Sequence, residues 1–302
     1  MSIRPIKRIV QAKPTIEGAG VKLRRAFGFG NTHEFDPFLL FDDFRNESPE
    51  DFLAGFPWHP HRGIETITYV LAGSVAHGDS LGNKGEMGAG DVQWMTAGSG
   101  ILHQEMPKGD PRGRMHGFQL WANLPSSLKM TDPRYQDIPA RDIPEVTDDD
   151  GTHVRVVCGD FWGKTGPVQG VAADPRYLDV WVPPGKRKTL PVETTRHAFA
   201  YVFEGSGSFR DASQPLEPKT EIVGSPAAAG ETGNRSLVLF DSGDEVTVQA
   251  GDQGIRFLLV SGKPIEEPVA WYGPIVMNTQ EQLRQAFQEL EQGTFLKGES
   301  RS

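Results

Sequence analysis

Two histidines stand one residue apart in "FPWHPHRGIET", Phe56 to Thr66: His59 and His61, with Pro60 between them and Glu65 four residues further on. The spacing recurs in "ILHQEM", where His103 and Glu105 are again i and i+2. In an extended chain, i and i+2 project from the same face. Pro60 holds its own φ near about −65° and biases His59 toward extended geometry. Two such pairs on facing strands of a small barrel converge on one point. Three neutral imidazoles and one carboxylate make a mixed nitrogen and oxygen donor set, which carries a net +1 with a divalent ion. That set suits Fe(II), Mn(II), Ni(II), Cu(II) or Zn(II) and does not suit calcium or magnesium. Four ligands on an octahedral ion leave two positions open, which a reaction needs and a structural site does not. Glu65 lies an even number of residues from His61, so parity alone does not remove it from the candidate ligands.

The elements that position these residues read as strands. "IETITYVLAGSVA" is β-rich and broken by a glycine, and "GAGDVQWMTAGSGILHQEM" gives turn, strand, tight turn and strand. "GFQLWANLP" is a further strand. Short strands at regular spacing predict a sandwich or barrel. Residues 125–150, rich in proline and ending in the acidic run Asp148 to Asp150, read as an inter-domain connection. Strands then resume with a partly literal repeat. "TYVLAGSV" at Thr68 matches "AYVFEGSG" at Ala200, and "GFQLWANLP" matches "RFLLVSGKP" ending at Pro264. The chain therefore reads as two copies of one β-barrel, residues 1–135 and 136–302. It closes with an amphipathic helix: Leu283, Ala286, Phe287 and Leu290 fall at i, i+3, i+4 and i+7, with Asn278 and Glu281 as a capping box and Gly293 as the stop.

Composition narrows the classes. The 302 residues are 37% hydrophobic, with 35 glycines and 23 prolines, which favours short strands and turns. The net charge of −9 and the absence of a basic run argue against direct contact with nucleic acid or an anionic membrane. The N-terminus lacks the apolar core of a signal peptide, and no apolar run approaches a membrane span, so a cytoplasmic protein is expected. The single cysteine, Cys158, reads as a buried strand thiol. His33, His77, His116, His153 and His197 are given structural roles.

"HPHRGIETITYVLAG" resembles the first cupin motif, and "GDVQWMTAGSGILHQE" resembles the second. Both depart from the general pattern: Thr96 stands where proline is usual, and His103 comes late after the "AG" turn. These departures resemble the pirin family, as do "DPFLLFDDF", "WMTAGSGILHQEMP" and "WANLP". The resemblance runs from about Gly28 to the end of the terminal helix. It implies an all-β fold of two tandem cupin-type, jelly-roll-like barrels with a C-terminal α-helix. It also implies one metal, usually iron, in the N-terminal barrel, with His59, His61, His103 and Glu105 as ligands. Glu65, a ligand in other cupins, is then left off the metal. By the internal repeat, His59 and His61 fall opposite Pro191 and Glu193, and His103 and Glu105 opposite Val248 and Ala250. The second barrel is therefore expected to hold no metal.

Bacterial pirins are associated with quercetin 2,3-dioxygenase activity, opening of a flavonol ring with release of carbon monoxide. The resemblance thus implies an Fe2+ enzyme that takes a flavonol-like aromatic and O2, with Glu105 also acting as base. Mn, Ni, Cu and Zn remain alternative metals. The competing implication is a redox-sensing regulator, in which the oxidation state of iron controls binding of a protein partner.

Overall fold

The β-branched and aromatic runs become strands, and the glycine-rich stretches become the turns between them. The computed structural model describes residues 2–210 and 231–297, which are mostly strand. The first twelve strands carry the argument: β1 Ile6–Gln11, β2 Lys13–Glu17, β3 Val21–Phe27, β4 Phe38–Asp43, β5 Phe56–His61, β6 Ile64–Ala72, β7 Ser74–Asp79, β8 Lys84–Met87, β9 Val92–Thr96, β10 Ile101–Lys108, β11 His116–Asn123 and β12 Arg134–Ile138. No helix among the described residues is long and apolar enough to cross a membrane.

The chain folds into two compact units, and neither is continuous in sequence. One gathers residues 13–142, 168–173 and 264–302; the other gathers 1–12, 143–167 and 174–263. This differs from the contiguous split at 135/136. Strand β1 pairs with Ser236–Phe240 in the C-terminal cupin, whereas the terminal helix packs in the unit of the N-terminal cupin. Hydrogen bonding is the reason. The chain ends complete a sheet edge and a loop cluster that lie far from them in sequence.

The N-terminal cupin has two antiparallel sheets. One runs β12–β9–β6–β11–β4–β3–β2 and the other β5–β10–β7–β8. Between them Val21, Leu23, Phe52, Val70, Val75 and Met87 form an apolar core. Strand β12 corrects the sequence reading of 125–150 as a plain connection. It pairs with β9 from Arg134↔Thr96 to Ile138↔Val92, a short and mostly polar strand with a proline on each side.

The C-terminal cupin is built on a nine-stranded sheet. Its interior is filled by aliphatic and aromatic side chains. Val248 and Ala250, the counterparts of His103 and Glu105, are buried among them. On the strand that matches the histidine strand, Leu190 and Val192 point into this core, and Glu193, which the repeat sets opposite His61, pairs with Arg176 and Arg196.

A C-terminal segment locks onto the loop beside His61. Gly63 adopts φ +78° and lies so close to Val276 that a Cβ there would meet its carbonyl oxygen at 1.9 Å, which only glycine permits. The buried Lys129 donates to the carbonyls of Gly63 and Val276 and to Asn123 Oδ1. Arg62, also buried, donates to the carbonyls of Ser99 and Phe295 and pairs with Glu289 of the terminal helix. That helix, Gln280–Glu291, buries Leu283 and Ala286. Its capping box is Thr279 with Gln282, one residue later than the expected Asn278 with Glu281.

Candidate metal centre and its cavity

Strand β5 is extended through "FPWHPH", so His59 and His61 turn to the same side. It pairs antiparallel with β10, which sets His103 directly opposite His59. The three imidazoles meet. Their ring centroids are 4.4, 4.9 and 5.0 Å apart, and one nitrogen from each falls within a set whose members all lie within 4.8 Å. Among the described residues, no other group of His, Cys, Asp and Glu converges in this way.

The far nitrogens of two rings are engaged. His59 Nδ1 lies 2.8 Å from the Pro57 carbonyl and His61 Nδ1 lies 3.2 Å from the Pro274 carbonyl. A carbonyl accepts only, so each Nδ1 carries the proton and each Nε2 presents a lone pair. These two Nε2 atoms face each other at 3.1 Å. Among the described residues, neither ring nitrogen of buried His103 has a hydrogen-bond partner. Burial, with the neighbouring imidazoles, pushes the pKa of His61 and His103 well below the ordinary histidine value, which keeps both rings neutral. Inward lone pairs and an orphaned buried imidazole are what a bound transition metal requires, so the residues fit such an ion.

Glu105 follows His103 on β10 and is also buried, but it stands outside the 4.8 Å set. One carboxylate oxygen accepts from Thr68 Oγ1 and the other from Gln119 Nε2, each at 3.0 Å. Glu65 is turned away. It is an odd number of residues from Thr68 on β6, so it lies on the opposite face, where Thr96 Oγ1 donates to it at 2.8 Å. Burial raises its pKa.

A cavity of about 450 Å³ opens onto His59, His61, Thr68, Glu105 and Gln119. This is within the usual range for small-molecule sites. Its walls are mostly apolar, with Leu40, Phe44, Phe56 and Trp121 inside and Phe29, Trp58 and Trp271 toward the outside. Trp121 meets His61 edge-on at 5.0 Å, and Phe29 stacks on Trp271 at 3.9 Å. The one cationic side chain in the lining, Arg25, is already bonded through two nitrogens to Asp42 and paired with Glu17.

Sequence reasoning missed Thr68, Gln119, Trp121 and the Pro274 carbonyl. A signal existed in the repeat itself. Thr68 and Gln119 pair in the first copy where Ala200 and Leu259 pair in the second, so polar residues replace apolar ones only in the copy that holds the histidines. His77 keeps its structural reading: it is buried and stacks on Tyr135.

Two family models match the chain, Pirin over residues 20–122 and the Pirin C-terminal cupin domain over 177–296. A pirin-like protein of Caulobacter vibrioides is 44% identical over 98% of this chain and 100% of its own length. The crystal structure of a quercetin 2,3-dioxygenase from Acinetobacter baumannii superposes with a TM-score of 0.84 at 30% identity, covering 97% of this chain and 99% of that one. The bacterial pirin YhhW of Escherichia coli, in complex with nickel(II), shares the fold with a TM-score of 0.62 at 21% identity, over 85% of this chain and 99% of that one.

Proposed function

The chain belongs to the pirin family, and from that premise we propose that it is a metal-dependent dioxygenase acting on a flavonol-like aromatic with O2. The metal is held by His59, His61, His103 and Glu105. One observation carries this reading. Two imidazole lone pairs face each other at 3.1 Å while both Nδ1 protons are committed to carbonyls, an arrangement that is repulsive until a cation lies between them. The proposed ion is Fe(II), although the donor set also serves Mn(II), Ni(II), Cu(II) and Zn(II). Nickel(II) in a protein of the same fold supports a transition metal here.

When bound, the metal supplies Lewis-acid stabilisation of an anionic substrate oxygen and redox chemistry toward O2. The protein's own residues bind, orient and move the proton. Glu105 is the proposed base, accepting a substrate hydroxyl proton on a carboxylate oxygen. The hydrogen bonds from Thr68 and Gln119 hold its two oxygens in place. Phe44, Phe56 and Leu40 keep water from the inner cavity, and the faces of Trp58 and Trp271 receive a planar ring. The quercetin 2,3-dioxygenase of Acinetobacter baumannii supports the substrate class.

Oxygen uptake and carbon monoxide release by metal-loaded protein with quercetin test the proposal. Uptake that His59→Ala abolishes is the expected result. No uptake by the iron, manganese or nickel forms, together with partner capture that depends on metal oxidation, would favour a regulatory role instead.

A further inference from the structure

We infer that Gln119, its amide orientation fixed by Trp121, is the positioning residue that sets Glu105 beside the three histidines. The inference rests on the reading of Glu105 as the fourth metal ligand, and it concerns two residues to which that reading gives no part in ligation.

Gln119 and Trp121 are i and i+2 on β11, and both line the cavity. β11 lies between β6 and β4, so Gln119 sits opposite Thr68 on one side and Asp42 on the other. Trp121 Nε1 donates to Gln119 Oε1 at 3.0 Å, and Gln119 Nε2 donates to Glu105 at 3.0 Å. The direction of this chain is forced. An indole N–H only donates, so it must face the amide oxygen; an ionised carboxylate only accepts, so it must face the amide nitrogen. Each end agrees with the other, and the amide has one satisfactory orientation. Without the indole, only the carboxylate itself holds the amide, and the donor it relies on is less firmly fixed.

The same Trp121 ring packs edge-on against His61 at 5.0 Å. One strand thus braces two candidate ligands on different strands, Glu105 by hydrogen bonds and His61 by ring contact. Thr68 is a second donor to Glu105, and the same amide nitrogen reaches its Oγ1 at 3.5 Å, so Gln119 meets the carboxylate directly and through the hydroxyl. The second cupin supports the assignment by contrast. Leu259 stands opposite Ala200, the counterpart of Thr68, as Gln119 stands opposite Thr68, and it is packed into that barrel's apolar core, where there is no carboxylate to place.

The test uses full-length protein loaded with Co(II), whose visible absorption reports ligand number and geometry. Glu105→Ala is the reference for a site that has lost its carboxylate. Gln119→Leu is expected to move the spectrum toward that of Glu105→Ala and to weaken Co(II) binding about 10- to 100-fold, as loss of a hydrogen bond to a metal ligand does. Trp121→Phe keeps a ring against His61 and removes only the N–H; it is expected to shift the spectrum in the same direction by a smaller amount, and it decides the matter if Gln119→Leu does not fold. If Glu105→Ala alters the spectrum while both other variants keep the wild-type spectrum and affinity, the positioning role is overturned. Tighter Co(II) binding by Gln119→Leu overturns it as well. If Glu105→Ala itself leaves the spectrum unchanged, the ligand assignment beneath the inference has failed, a result distinct from the other two.

Discussion

Two of the three imidazoles at the centre are aimed by what occupies their other side. His59 and His61 spend Nδ1 on carbonyls and so offer Nε2, whereas neither nitrogen of His103 has a hydrogen-bond partner among the described residues. On the proposed reading, replacing an inward imidazole takes one donor from the metal centre. His103→Ala is predicted to weaken transition-metal binding by about 100-fold or more, beyond the loss typical of residues that only touch a ligand, as read by equilibrium metal titration. His77→Gln is predicted to leave metal stoichiometry unchanged in the same titration. The three histidines were legible in the sequence because a strand's period of two leaves its mark as H-x-H and H-x-E. Gln119 was not, because a polar residue inside a strand looks the same whether it faces a cavity or solvent. Only its neighbours across β6 and β10 give it a meaning, and those are set by pairing rather than spacing.

At the scale of elements, patterns that repeat along the chain were readable and patterns split across it were not. The terminal helix announced itself through Leu283, Ala286, Phe287 and Leu290. Its cap slipped by one because Asn278 and Thr279 are both good capping types, and the choice is made by backbone geometry: Thr279 is extended at φ −131° and ψ 155°. Thr279→Ala is predicted to cost about 1 kcal/mol in chemical denaturation, the usual loss for an N-cap. Strand β12 escaped notice because its five residues lie among prolines that suggest a linker. The clasp on the His61 loop makes a prediction of its own. Lys129 is buried, and burial lowers its pKa from 10.5 to about 7, with Glu267 opposing. Between these values the unfolded chain holds a proton that the folded chain does not. Stability conferred at this position therefore rises as pH increases from about 7 toward 10.5, by up to ~1.4 kcal/mol per pH unit, and is flat below about 7. Lys129→Met is predicted to lose that slope, measured as the difference in urea midpoints at pH 7 and pH 9. An equal slope in both proteins would refute the assignment.

For the whole molecule, the duplicated fold was visible from the repeat, and the fate of its second copy followed from the residues that replaced the ligands. Val248 and Ala250 lie in an apolar core, and among the described residues no group of His, Cys, Asp and Glu converges in that unit. One equivalent of metal per chain is predicted by elemental analysis, and a chelator should lower amide-exchange protection in the unit of residues 13–142, 168–173 and 264–302 while sparing the other. Two equivalents, or equal loss in both units, would contradict this. What the sequence concealed was the exchange of ends, since no local property of residues 1–12 or 264–302 says which barrel they will join.

That exchange fixes an order of events during synthesis. The carbonyl of Pro274 that orients His61, the Val276 carbonyl that Gly63 accommodates, and the Glu289 and Phe295 groups that hold Arg62 all leave the ribosome after the entire second cupin. The first barrel to be translated is thus the last to be finished. Until residue 274 has been made, the His61 ring lacks the carbonyl that orients it, so the arrangement of the three histidines is completed late in synthesis.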